Sequence, residues 1–354
     1  MNFDTRQVSG KIGEMMQSIG RPVKLMEVCG THTMAIFRHG IRSLLPESIH
    51  LLSGPGCPVC VTSLGDIEAA VSLAQTKGVL LTTFGDMMRV PGRKRSLGEV
   101  KAEGVDVRVV YSPLDALDIA ESHKQKEIVF FAAGFETTSP LSAATLFEAE
   151  RRHIGNFSIF SAHKRVPPAL RALLKSGDVQ VDGFILPGHV STVIGSLPYG
   201  FLAETYRKPS VITGFEASDV LSGILMILNQ IRSGKAEVSI QYASVVREKG
   251  NPRALAMIEE FFQVEDAHWR GLGAIPESGL GLKDEFRDRD AIRRFSLSRP
   301  HLKDPSGCRC GDVLRGAKLP TDCSLFGKGC TPEKPVGACM VSAEGSCAAY
   351  YQYM

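Results

Sequence analysis

The chain reads as an α/β protein built on parallel sheets, and three observations lead there. From Arg21 to about Gly234, short β-branched or aromatic runs alternate with amphipathic stretches, the rhythm of repeated strand-helix units. Several of the apolar runs are continuous rather than alternating, as in strands buried on both faces of a parallel sheet. The nine cysteines fall into two groups, Cys29, Cys57 and Cys60 near the start and six from Cys308 onward, which sets a thiol-rich tail apart from the α/β body.

Eight apolar runs are read as strands: Lys24 to Val28, Ile49 to Leu52, Val79 to Phe84, Val107 to Tyr111, Ile128 to Ala132, Phe157 to Ser161, Gly183 to Leu186 and Val211 to Gly214. Helices are expected between them at Thr33 to Leu45, Asp66 to Gln75, Leu114 to Glu121, Ser142 to Arg152, Ala169 to Lys175 and Ser218 to Arg232. Eight strands make one large sheet or two smaller ones. Two echoes favour two sheets, since Gly134-Phe135-Glu136 and Gly214-Phe215-Glu216 each follow an apolar strand and precede a helix. The division expected is a first α/β domain over 1–130 carrying Cys29, Cys57 and Cys60, and a second over 131–235, with the chain free to cross back between them. A C-terminal region over 236–354 ends in the cysteine-rich tail, which has little apolar material for a core of its own, so a metal is its natural staple.

Composition narrows the function. A length of 354 residues suits two or three domains, and a net charge of +3 without a dense Lys/Arg stripe argues against a nucleic-acid partner. The most apolar stretches, Ile128 to Phe135 and Val220 to Ile231, fall short of the ~20 residues a spanning helix needs, so no membrane role is expected. The polar start, Met1 to Val8, lacks the apolar core of a secretory signal, and the expectation is a cytoplasmic protein. In that compartment clustered cysteines mean metal or redox work more often than structural disulfides.

The tail runs Cys308-Arg-Cys310 and then Cys323, Cys330, Cys339 and Cys347. Thiolate-rich, His-poor sets hold zinc or iron-sulfur clusters, and the scarcity of paired knuckles here favours iron-sulfur over zinc. In Gly54-Pro-Gly-Cys57-Pro-Val-Cys60 the glycines permit a tight backbone, and a C-x-x-C turn suits a redox dithiol or half of a zinc site. Cys29 lies just ahead of an expected helix, where the positive end of the dipole favours thiolate; it is a candidate nucleophile or metal ligand. His32 follows it, and Asp86, Glu136, His163, His189 and Glu216 sit at other expected strand ends, where ligands and catalysis collect in open α/β sheets. Each alone fits a helix cap or a satisfied buried group, and together they suggest one polar crevice. No phosphate-binding loop, dinucleotide fingerprint or Cys-x3-Cys-x2-Cys triplet occurs.

Met26-Glu-Val-Cys29-Gly-Thr-His32-Thr, Gly54-Pro-Gly-Cys57-Pro-Val-Cys60, Phe84-Gly-Asp86, Gly134-Phe-Glu136-Thr-Thr, Pro187-Gly-His189-Val-Ser, Trp269-Arg-Gly-Leu-Gly273 and Met340-Val-Ser-Ala-Glu344-Gly-Ser-Cys347 together resemble the hydrogenase maturation factor HypD family, over about Arg21 to Tyr353. The resemblance implies a redox-active assembly scaffold rather than a multiple-turnover enzyme. With the chaperone HypC it builds the Fe(CN)2CO unit of nickel-iron hydrogenase, and cyanide comes from HypE with HypF. It implies two Rossmann-like α/β domains flanking a cleft and a small C-terminal domain with a 4Fe-4S cluster. Carried onto this chain, Cys29 is an iron ligand shared with HypC, and Cys57 and Cys60 are a redox dithiol near it. Cys310, Cys323, Cys330 and Cys347 are the cluster ligands, with Cys308 and Cys339 extra. The thiols alone fit equally a stand-alone ferredoxin-dependent thiol-disulfide oxidoreductase, and a zinc-stabilised binding module is a third class.

Overall fold

Two parallel sheets form the body of the protein in the computed structural model, which describes residues 5–177 and 179–354. The strands are β1 (Val23–Glu27), β2 (Ile49–Ser53), β3 (Val79–Thr83), β4 (Val107–Val109), β5 (Glu127–Gly134), β6 (Phe157–His163), β7 (Gly183–Pro187), β8 (Ser210–Thr213), β9 (Val238–Ile240), β10 (Phe262–Trp269) and β11 (Gly273–Leu282). One sheet has the order β2-β1-β7-β8-β9 and the other β4-β3-β5-β6, both parallel throughout, while β10 and β11 form an antiparallel hairpin. These are open, helix-covered sheets of the Rossmann-like kind.

Each sheet buries both faces, and the period of two in its strands shows it. Leu25 enters one core with Val8, Ile12 and Ile224, while its neighbour Met26 enters another with Phe184, Leu186 and Trp269. In the second sheet Val129 and Phe131 face one core, Ile128 and Phe130 the other. Phe130 and Phe131 are both completely buried, each contributing roughly 2–3 kcal/mol of apolar burial. This two-sided burial is why these strands read as unbroken apolar runs.

Sheet membership does not follow the linear division at 130 and 235. The first sheet takes β1 and β2 and then β7 to β9, while β3 to β6 build the second, so the chain crosses over after β2 and returns after β6. Phe130 lies inside β5, in the middle of the second sheet. All eight expected strands are present, some shifted by a residue or two. Beyond them lie β9, the hairpin, and helices at Thr5–Ile19 and Pro252–Phe261. The helix expected at Thr33 to Leu45 starts earlier, at Gly30, and stops at Arg38; Gly40 then takes a left-handed φ of 60° before a short 3-10 turn. Its N-cap is Cys29.

The tail is made of short helices and turns, and it docks across the body. Leu314, Cys310 and Cys339 join the core that contains Phe184 and Trp269, and Gly316 packs against Met26 and Leu52. Tyr350 meets the Phe37 ring edge-on at 4.8 Å between centroids. Among the described residues no helix is long and apolar enough to cross a membrane.

Candidate functional site

The two early thiol motifs are locked together by backbone. β1 ends at Glu27, and the chain passes through Val28 and Cys29 into the helix Gly30–Arg38. The loop after β2 lies directly on this segment: Gly54 N–H donates to Glu27 O at 2.7 Å, and Gly30 N–H to Gly56 O at 2.9 Å. A Cβ on Gly56 would lie 2.1 Å from Cys29 N, so only glycine permits the approach. Beneath, the Glu27 carboxylate accepts from Cys29 N–H at 3.1 Å and from the Thr33 hydroxyl at 2.6 Å, and burial pushes its pKa up to about 7.

The Cys29 thiol is buried. Burial, reinforced by the nearby Glu344 and Glu27 carboxylates, pushes its pKa up to about 12. This runs against the pull toward thiolate that a place ahead of a helix exerts. A helix end is worth about 1 kcal/mol, whereas full burial of a charge shifts a pKa by several units. A metal binding there must displace the proton.

Cys29 opens on a cleft of about 480 Å³. Its walls come from the ends of β1, β2 and β7 in the first sheet (Cys29, Gly56, His189) and of β5 in the second (Phe135, Thr137, Thr138). This is the crevice outside the carboxyl ends of strands where open α/β sheets bind ligands. His189 projects into it, stacked on Phe215 at 4.0 Å between centroids. Five polar cleft residues escaped the sequence reading as site residues: Thr31, Thr137, Thr138, Thr192 and Glu344. Glu344 comes from the tail: the Thr31 hydroxyl donates to its Oε1 at 2.8 Å, and its backbone packs so closely on Gly30 that a Cβ there would clash. The signal available was its place in the Met340 to Cys347 motif; its partner lies 313 residues away.

Other candidates stand behind the walls. His32 sits on the far side of Phe215 at 4.7 Å, fully buried, with Nε2 at 2.8 Å from Thr213 Oγ1 and 3.0 Å from Gly214 O. Burial holds its pKa down to about 4. Glu136 accepts from Val166 N–H at 3.0 and 3.2 Å, capping the helix Val166–Lys175, and burial raises its pKa to about 7. His163 is buried against Ser142 and Ser161, Asp86 sits in a 3-10 turn after β3, and Glu216 is the N-cap of the helix Ala217–Arg232. None of these five lines the cleft.

Below the cleft floor the short helix Pro58–Val61 carries the dithiol. Cys57 is its N-cap, and its Sγ accepts from Cys60 N–H at 3.3 Å. Both side chains are free and buried, and burial raises the Cys60 pKa well above the usual range. Cys60 in turn meets the tail beside Cys339: its Sγ donates to Ala338 O at 4.0 Å, and Cys60, Cys310 and Cys339 share one core with Cys347 packed against it. Cys308, Cys310, Cys323, Cys330 and Cys347 line a small cavity completed by Arg309, Val313, Leu325, Phe326, Gly337 and Met340, with no Asp, Glu or His in the lining. A Cβ on Gly337 would lie 2.7 Å from Cys308 Sγ and 3.1 Å from Cys310 Sγ, so both face this wall. Five soft donors without a hard one fit a thiolate-held iron-sulfur cluster. The choice of Cys310 over Cys308 is not made by position, because both line the cavity.

The HypD family model, described as the Hydrogenase formation hypA family, matches residues 4–354. The chain belongs to the HypD family. Among its relatives, Hydrogenase maturation factor HypD of Rhizobium leguminosarum bv. viciae is 49% identical over 94% of this chain and 89% of its own. The proteins of the same name from Rhodobacter capsulatus and Escherichia coli K12 are 47% and 46% identical, over 97% and 94% of this chain and 93% and 90% of theirs. Membership of the HypD family makes this chain a hydrogenase maturation factor.

Proposed function

We propose that the cleft at Cys29 is the platform on which the Fe(CN)2CO unit of nickel-iron hydrogenase is assembled. A HypC-type chaperone shares the iron, and HypE, supplied by HypF, delivers cyanide. One observation carries the reading: Cys29 opens on a cleft where strand ends of both sheets meet, and thiols follow in series beneath it from Cys57 and Cys60 through Cys339 to the tail cavity. Cys29 is the protein ligand to the incoming iron and gives up its proton as the iron binds. Thr31, Thr137, Thr138, His189 and Glu344 line the space in which the unit is held. The Cys57 and Cys60 dithiol, closing to a disulfide, releases two electrons and two protons.

Cys323, Cys330 and Cys347 are the residues to hold a 4Fe-4S cluster with Cys310, the fourth that the family resemblance implies, or with Cys308 in its place. Such a cluster supplies electrons one at a time. The protein then acts as a scaffold with redox capacity.

Anaerobic purification with the chaperone, followed by iron and sulfide analysis and infrared spectroscopy of cyanide and carbonyl stretches, tests this. Wild-type protein is expected to carry iron beyond its cluster with both bands, and Cys29→Ala to lose that extra iron and the bands while keeping the tail iron. Bands that survive in Cys29→Ala sink the assignment. Protein with cluster iron alone, needing no partner, points instead to a stand-alone thiol-disulfide oxidoreductase.

A further inference from the structure

The hairpin end Trp269-Arg-Gly-Leu-Gly273 is wedged between the two thiol groups. On one side it joins the turn after Cys60: Thr62 and Trp269 form an antiparallel bridge, and Arg270 N–H donates to Val61 O at 2.9 Å. On the other side it meets the start of the tail helix Cys310–Leu314 through two glycines. A Cβ on Gly271 would come within 2.6 Å of Gly311 Cα, and one on Gly311 within 2.5 Å of Gly271 O. Gly271 N–H donates to Asp304 Oδ2 at 2.9 Å, and Arg315 donates to Gly271 O at 2.8 Å.

Arg270 itself is turned inward, with its side chain only 1% exposed. Nε pairs with Asp304 Oδ1 at 3.3 Å, Nη2 donates to Pro91 O at 3.4 Å, and Nη1 is buried with no partner among the described residues. A guanidinium carries five N–H donors and keeps its charge at every accessible pH. Burying it against one carboxylate that is itself 32% exposed leaves positive charge uncompensated inside the protein, which is costly unless an anionic group completes the set. Arg270 directly precedes Gly271, so this buried charge sits beside the start of the helix that carries Cys310 into the wall of the tail cavity.

We propose that Arg270 is a positioning residue for the tail cavity, its buried positive charge drawing the thiolates together and raising the reduction potential of the iron-sulfur cluster they hold. This rests on the cluster reading given above. Cluster potentials respond to net charge and to N–H bonds to sulfur. Reduction adds one electron to the cluster without breaking a bond, and a fixed cation beside it stabilises the reduced form. Asp304 offsets part of that charge, so the two residues act with opposite sign.

The test is a redox titration, followed by electron paramagnetic resonance, of the full-length protein after anaerobic cluster reconstitution, with iron and sulfide assayed in parallel. R270Q should be roughly tenfold harder to reduce at a fixed poise, about 59 mV more negative for one electron. R270K should stay near wild type, and D304N should move the other way. A merely structural role would shift R270Q and D304N in the same direction or change only their stability. Should R270Q fail to fold, the sign of the D304N shift decides. Equal potentials across the set, with full cluster content, overturn the inference and leave the cluster reading standing. Absence of iron and sulfide from wild-type protein overturns both.

Discussion

Replacing Gly56 with alanine adds one methyl group at the point where the two thiol motifs touch. An ideal Cβ there lies 2.1 Å from Cys29 N, 2.2 Å from Val28 C and 2.5 Å from Cys29 Cα, against 3.4 Å for the inner edge of ordinary contact. The worst overlap is therefore about 1.3 Å, 3.4 minus 2.1. None of these atoms ends a flexible side chain. All belong to the backbone that links β1 to its helix, and that backbone is held by the hydrogen bonds Gly54 N–H to Glu27 O and Gly30 N–H to Gly56 O. Opening the gap breaks both bonds, at about 1 kcal/mol each, and overpacking costs a further ~1–3 kcal/mol. A loss of about 3–5 kcal/mol is expected. The same chemical change at Gly10, in the helix Thr5–Ile19 with nothing within 4 Å of its Cβ, should instead stabilise by about 0.5–1 kcal/mol. Urea unfolding of the two full-length variants, followed by circular dichroism, measures both. A Gly56→Ala protein within about 0.5 kcal/mol of wild type would refute the argument that the close approach needs glycine.

Three further outcomes are expected. A double-mutant cycle of Thr31→Val and Glu344→Ala should return a coupling of about 1–2 kcal/mol, because their hydrogen bond at 2.8 Å ties the tail to the Cys29 helix; simple additivity would count against that tie. Glu136 holds its proton to about pH 7 when folded, against an ordinary 4.5, so it lends stability that is full below pH 4.5 and lost as pH rises through 7, roughly 3 kcal/mol in all. Glu136→Gln should therefore gain on wild type between about pH 5 and about pH 8, and a constant difference across that range would show the carboxyl is not held neutral. Serine at Cys323, Cys330 or Cys347 should abolish the visible cluster absorption, while Cys339→Ser keeps it. Of Cys308 and Cys310, which share one wall of the cavity with only Arg309 between them, one variant should lose it and the other should not; retention after Cys330→Ser would discard the cavity as the cluster site.

The strands were legible because both faces of each sheet are buried, which leaves unbroken apolar runs such as Ile128 to Phe131. β9 was not, since all three of its residues are only half-buried. The hairpin was hidden by polar residues and by a register shift between Glu265 and Ala267, which interrupts the alternation a strand needs to be seen. The helix Thr5–Ile19 does space Val8, Ile12 and Met16 four apart, but Gly10 and Gly13 weaken the signal. At the site, strand ends drew attention to Cys29 and His189, and both line the cleft. His32 and Glu136 were drawn in by the same rule and turned out to face inward, because spacing along the chain does not say which side of a helix start meets the cleft. Thr31 and Glu344 were out of reach for the opposite reason, as their contact spans nearly the whole chain.

The double crossing between sheets also sets an order of events during translation. β1 pairs with β2 on one side and with β7 on the other, Leu25 beside Gly183. From Ser53 to Gly183 the ribosome adds 130 residues, 183 minus 53, which at about 5–20 residues per second takes roughly 6–26 seconds. Through that interval β1 presents an unpaired edge, and the thiols of Cys29, Cys57 and Cys60 lack the cover that β7 and the tail later provide. The second sheet, drawn from the contiguous stretch between Val79 and His163, can close on its own meanwhile. Newly made chains are thus most open to aggregation and to thiol oxidation before residue 183 emerges, and the cleft at Cys29 comes into being only after its far wall already stands.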